Sequence, residues 1–232
     1  MTRSWCRGTR RICRPAQAHG GNPIAPGRRD RHAPRVTSGE LSGCVIVSGM
    51  PGAGKSTVTR LAARSLPRAA RVGGDDVNLM IGSGFVWFMG KPAAEALRQD
   101  ELCNRNMCSL ANNFIDFGFT VLMDSVLADQ PELDFFLALL SPRLVRLVIF
   151  APGIDVCRRR NAMRDPQGRF DFDEYERLEA DMKREFSDCA WWFDTAALTP
   201  EETAEQLVAN AAHRAPPLRP GWNAWLRQLH QV

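Results

Sequence analysis

The segment Cys44–Thr57, CVIVSGMPGAGKST, joins two patterns. Its first half, Cys44-Val45-Ile46-Val47-Ser48, is a short β-branched apolar run and predicts a buried strand. Its second half matches G-x-x-x-x-G-K-[ST] from Gly49 to Ser56. Gly49, Gly52 and Gly54 allow a tight turn whose N–H groups point at phosphate oxygens, with Met50, Pro51 and Ala53 between them. A helix beginning near Lys55 adds a positive dipole end. Lys55 supplies a mobile charge for β- and γ-phosphates. The Ser56 hydroxyl is suited to Mg²⁺, and Thr57 follows it in the same turn. An ordinary Gly-rich turn is the plainer reading. The apolar strand before the loop and the helix after it favour a triphosphate cradle.

Outward from this loop, strands and helices alternate. Strands are expected at Ala70–Gly73, Phe119–Met123, Leu144–Phe150 and Trp191–Asp194. Helices are expected at 55–65, from Pro92 to about Phe117, at 131–140, 155–163 and 171–186, and from Thr199 or Pro200 onward. Residues 77–91 read as a loop. Such alternation predicts a five-stranded, mainly parallel sheet covered on both faces, an α/β/α sandwich. The domain is expected to span 41–212. Residues 1–40 read as a disordered basic tail and 213–232 as a C-terminal appendix.

The 232 residues suffice for one domain with a full core. The net charge of +4 conceals a split, because residues 1–40 hold nine Arg against Asp30 and Glu40. The remainder is therefore mildly acidic, at −3. No apolar run is long enough for a membrane span, and no secretory signal is expected. Seven scattered Cys without a C-x-x-C pair point to reduced thiols and a cytoplasmic location. His19, His32, His213 and His230 all lie near the ends, so a proton acceptor in the core is expected to be a carboxylate.

Three groups are candidates for the chemistry. Asp75 and Asp76 follow the second strand, at the carboxyl edge where ligands of open parallel sheets bind. One of them can accept the proton of an attacking hydroxyl, and the other can cap a helix or approach the metal. Asp124 closes the run Phe119-Thr120-Val121-Leu122-Met123, a strand-end carboxylate suited to holding Mg²⁺, often through water, with contact to the acceptor as the alternative role. Arg160 and Arg164 share a helix face if the helix persists, and a mobile segment carrying them can cover a triphosphate. Pro166 and Gly168 offer a hinge. Arg158 and Arg159 are assigned to a solvated face paired with Asp165, Asp171 and Glu174.

On these residues the chain resembles the P-loop kinase superfamily, and most closely its group of polynucleotide 5′-kinases, zeta toxins and chloramphenicol phosphotransferase. The resemblance covers about 44–210. It rests on GMPGAGKST at Gly49–Thr57, the pair Asp75-Asp76, the lid stretch Arg160-Asn161-Ala162-Met163-Arg164, and Asp124-Ser125. It implies a P-loop NTPase fold with an Arg-bearing lid, use of ATP and Mg²⁺, and Asp75 as the base. Asn78 stands where the polynucleotide kinases have Arg.

The favoured expectation is a phosphotransferase acting on a hydroxyl of a small molecule. Polynucleotide or nucleotide kinases and a non-kinase ATPase regulator are the alternatives. Residues 74–118 should hold much of the acceptor site, and their balance is −3, with Lys91, Arg98 and Arg105 against six carboxylates. A nucleic-acid groove is expected to be basic. Met80, Phe85, Trp87, Phe88 and Met89 suit a partly apolar ligand, or else they pack the core.

Overall fold

The computed structural model describes residues 41–165, 169 and 172–221. The expected tail at 1–40, the hinge residues Pro166 and Gly168, the helix start at Asp171 and the end of the appendix from Trp222 lie outside the described residues.

The elements run β1 (Cys44–Gly49), α1 (Lys55–Ser65), β2 (Ala69–Gly73), α2 (Gly74–Asn78), α3 (Ala93–Asp116), β3 (Thr120–Asp124) and α4 (Gln130–Leu140). They continue with β4 (Val145–Phe150), α5 (Ile154–Ala162), α6 (Tyr175–Phe186), β5 (Ala190–Phe193) and α7 (Pro200–Arg214). The sheet has the order β2-β3-β1-β4-β5, with every neighbouring pair parallel. Among the described residues, an antiparallel bridge, Val145 to Leu218, brings the segment after α7 alongside β4.

The two-residue side-chain period of a strand divides the core. On β1, Cys44 and Ile46 face one apolar layer with Met107, Phe136 and Phe186 from α3, α4 and α6. Val45 and Val47 face the other, with Val58 and Ala62 of α1 and Leu207 and Ala211 of α7. A strand buried on both faces is apolar along most of its length, as β1 is from Cys44 to Val47, and its one polar side chain, Ser48, has a hydrogen-bond partner in the Leu127 N–H.

Local chemistry sets the helix limits. Thr199 caps α7 in a reciprocal capping box with Glu202, and Pro200 occupies the first turn. Asp129 caps α4 by accepting from the Glu132 N–H at 3.0 Å. Three expectations need correction. The helix expected at 171–186 begins only at Tyr175, because residues 172–174 are not helical and Glu174 takes the cap position. The segment read as a loop from 77 overlaps the end of α2, a helix too short to leave a periodic signature. α5 ends at Ala162 with Met163 as its cap, and the Arg164 N–H turns back to the Asn161 carbonyl at 3.2 Å. Arg160 and Arg164 therefore do not share a helix face.

Candidate active site

The strand order makes β1 and β3 neighbours, with Val47 opposite Asp124. The loop leaving β1 and the carboxylate ending β3 thus meet at one edge of the sheet. Gly49 and Gly52 have φ of 136° and 85°, a region that favours glycine. A side chain at Gly49 would put its Cβ 2.6 Å from the Phe150 carbonyl oxygen, and one at Gly52 would collide with the Cys157 carbonyl. Close packing of the loop on β4 and α5 therefore requires both glycines. Met50 and Ala53 anchor it by burying their side chains in the α1 layer.

Lys55 opens α1, and its Nζ donates to the carbonyls of Gly49 at 2.7 Å and Met50 at 3.1 Å. Burial lowers its pKa to about 8, opposed by the charges of Asp124 and Asp75. Ser56 Oγ donates to Asp124 Oδ1 at 2.8 Å. Thr57, next along, is exposed. Asp124 itself is buried, with Thr59 Oγ1 donating to its Oδ2 at 2.9 Å. Ser48 Oγ accepts from the Leu127 N–H at 2.9 Å and ties the loop after β3 to β1.

Asp75 and Asp76 lie in the first turn of α2 and have different surroundings. Asp76 is ion-paired with Arg71 Nη1. Asp75 is exposed, and among the described residues no group donates a hydrogen bond to its carboxylate. Its charge is nonetheless felt by Lys55. The cap position of α2 is taken by Gly73, so neither Asp is its N-cap.

Of the arginines, Arg160 reaches the phosphate loop, where its Nη1 donates to the Ala53 carbonyl at 3.3 Å. Arg164 is exposed beyond the end of α5. Arg158 belongs to the surface, as expected, but its partner is Glu176, at 2.8 Å, and it lies over the Tyr175 ring.

Sequence reasoning missed Arg71, Thr59 and Gln99. Arg71 is a charge within a short strand, and that was the available signal, because a buried charge demands a partner. Gln99 of α3 accepts from the Val86 N–H at 2.7 Å and donates to the Gly84 carbonyl at 2.9 Å. It braces the segment after α2, on which Leu79, Met80, Phe85, Trp87, Phe88 and Met89 are exposed. These side chains are exposed and are not core.

A cleft between α3 and α4 is lined by Leu97, Asp100, Glu101, Asn104, Glu132 and Phe135. Burial, together with Asp100 and Asp129, pushes the Glu132 carboxyl up to about 7, although the Ala128 N–H and the Asn104 side chain favour its charged form. A carboxyl with a raised folded pKa costs stability as pH climbs from the unfolded value of 4.5 toward 7, and the cost is complete above that. Glu132→Gln is therefore expected to raise Tm at pH 8, by the equivalent of roughly 1–3 kcal/mol, and to leave it unchanged near pH 4. Thermal melts of both proteins across this range check it, and an equal difference at both pH values would contradict it.

Comparisons with known proteins agree with this architecture. A family model described as an AAA domain matches residues 44–188, well over half of the chain. A comparison with curated proteins yields no match. Among solved structures, the tunicamycin resistance protein of Deinococcus radiodurans superposes with a TM-score of 0.56 at 16% identity, covering 76% of this chain and 99% of that one. A sugar kinase from a Janibacter species gives 0.53 at 16% identity, with 74% and 98% covered. The APS kinase CysC of Mycobacterium tuberculosis gives 0.50 at 18% identity, with 73% and 96% covered. Among the described residues, no helix is long and apolar enough to cross a membrane. With the phosphate loop, the parallel sheet and the family match in agreement, the chain belongs to the AAA domain family and has the fold of the P-loop kinases.

Proposed function

We propose that this protein is an ATP- and Mg²⁺-dependent phosphotransferase that moves the γ-phosphate to a hydroxyl of a small, partly apolar molecule. The observation that carries the reading is the division of the Asp pair. Asp76 is engaged by Arg71, while Asp75 stays exposed beside the phosphate loop, within electrostatic reach of Lys55.

The residues present fit both ligands. The loop backbone forms the cradle, and the Lys55 ammonium rests on two carbonyls that phosphate oxygens would replace. Ser56 offers a hard oxygen donor 2.8 Å from the Asp124 carboxylate, and the two together would hold Mg²⁺, Asp124 from behind the hydroxyl. The bound ion supplies charge neutralisation across the β- and γ-phosphates. Lys55 orients the same phosphates. Asp75 takes the proton of the acceptor hydroxyl at a carboxylate oxygen, a need that an already ionised phosphate acceptor would not create. Arg160, and Arg164 from a lid, stabilise charge that develops toward the leaving group.

The acidic balance of residues 74–118 supports a small acceptor over a polynucleotide. So do the exposed aromatics braced by Gln99, which offer an apolar wall. Two of the structural neighbours carry the names sugar kinase and APS kinase. A cytoplasmic location belongs to the same reading.

An ATP-consumption screen over hydroxylated small molecules and 5′-hydroxyl oligonucleotides tests it. Stimulation by a small alcohol is expected. Stimulation by oligonucleotides alone, steeply reduced by salt, would overturn the acceptor assignment. With an acceptor in hand, Trp87→Ala is expected to raise its KM about tenfold or more while leaving the KM for ATP nearly unchanged. Equal changes in both would contradict a role for this wall in acceptor binding.

A further inference from the structure

We infer that Arg71 is a positioning residue: its guanidinium holds the Asp124 carboxylate saturated and offsets its charge, which weakens the hold of this site on the metal. The inference rests on the nucleotide–metal reading of the site. Arg71 lies in the middle of β2, on the face that packs against α1. Its Nε donates to Asp124 Oδ2 at 2.8 Å and its Nη2 to Oδ1 at 3.1 Å, a bidentate fork. Its remaining nitrogen, Nη1, holds Asp76. One guanidinium thus joins the strand-end carboxylate to the carboxylate pair.

The count of acceptor sites on Asp124 carries the argument. Oδ1 accepts from Ser56 and Arg71, and Oδ2 from Thr59 and Arg71. A carboxylate has about four lone-pair directions, and four donors are directed at them. A direct bond from a divalent cation would have to displace one of these donors in a buried setting, where each lost bond is costly. A metal-bound water needs only a shared lone pair. The positive charge of Arg71 also offsets the negative charge a cation would otherwise meet.

Gly73 makes this arrangement possible. A Cβ there would collide with Arg71 Nη2 and crowd Asp76 Oδ2. Its φ of −102° is open to any residue, so the requirement is for space and not for backbone freedom. The guanidinium passes over the bare α-carbon to reach both carboxylates.

The test titrates Mn²⁺ into the full-length protein saturated with ADP and follows the EPR signal of free Mn²⁺, which reads metal affinity without turnover. Wild type is expected to bind Mn²⁺ weakly and only with ADP present. Arg71→Met is expected to bind it about tenfold more tightly, because the Asp124 charge is no longer offset. Its kcat is expected to fall at least tenfold, because Asp124 loses its orientation. Arg71→Lys keeps the charge and loses the fork, so it should hold Mn²⁺ affinity within about threefold and still lose about tenfold in kcat. Gly73→Ala, which removes no charged group, should shift both readouts in the direction of Arg71→Met and serves where that variant does not fold. Unchanged Mn²⁺ affinity in folded Arg71→Met, or in Gly73→Ala in its place, would overturn the inference. Absence of ADP-dependent Mn²⁺ binding by wild type would overturn the nucleotide–metal reading itself.

Discussion

Lys55→Ala is expected to lower turnover by at least ~10²-fold, the scale of deleting one preorganised charge-stabilising group. The substitution removes the only cation within the phosphate loop itself. It leaves most of what holds the cradle, because Gly49 and Gly52 are also packed closely on β4 and α5. It also frees the Gly49 and Met50 carbonyls, which water can satisfy at this partly exposed edge. Nucleotide binding should weaken less than kcat falls, since the charge matters most as it shifts between phosphoryl oxygens. Steady-state kinetics with a separate nucleotide-binding titration checks this. Near-wild-type turnover by the purified, folded variant would refute the role given to Lys55.

Asp75→Asn is expected to bind nucleotide normally and to lose ~10²–10⁴-fold in transfer to the acceptor, the usual contribution of a positioned base. Asp76→Asn should lose less than about tenfold. It breaks an ion pair at a side chain 55% exposed, where such pairs contribute little. The difference between the two variants is the sharper test, because both remove one charge from the same turn of α2. If Asp76→Asn is crippled and Asp75→Asn is normal, the base has been assigned to the wrong member of the pair.

These assignments draw unequally on the sequence. The strand at β1 and the loop after it are legible because a doubly buried strand is apolar along most of its length and a phosphate cradle must be glycine-rich. The other strands fall within a residue or two of their expected limits, Ala69 for Ala70 in β2 and Val145 for Leu144 in β4. The order of the strands is not legible, since hydrophobic pattern marks a strand without naming its neighbour. α2 is missed because five residues carry no helical period. The end of α5 is obscured because the run Arg158–Arg164 contains no strong breaker, and a turn at Asn161 stops the helix. Arg71 and Thr59 escape notice because their importance is tertiary. Each is an ordinary surface residue type until β3 brings Asp124 beside it. The Asp pair shows the same limit. The residues allowed either member to be the base, and the partner that distinguishes them lies on another strand.

The central claim is transfer of phosphate to an alcohol, as opposed to hydrolysis used for shape change. It is tested most directly by following ATP labelled in the γ-phosphate with wild type and Asp75→Asn, in the presence of an acceptor that stimulates turnover. The expected result is label in a phosphate ester of the acceptor with wild type, and loss of that product with Asp75→Asn. Label released only as inorganic phosphate, at a rate no acceptor alters and Asp75→Asn does not change, would contradict the account.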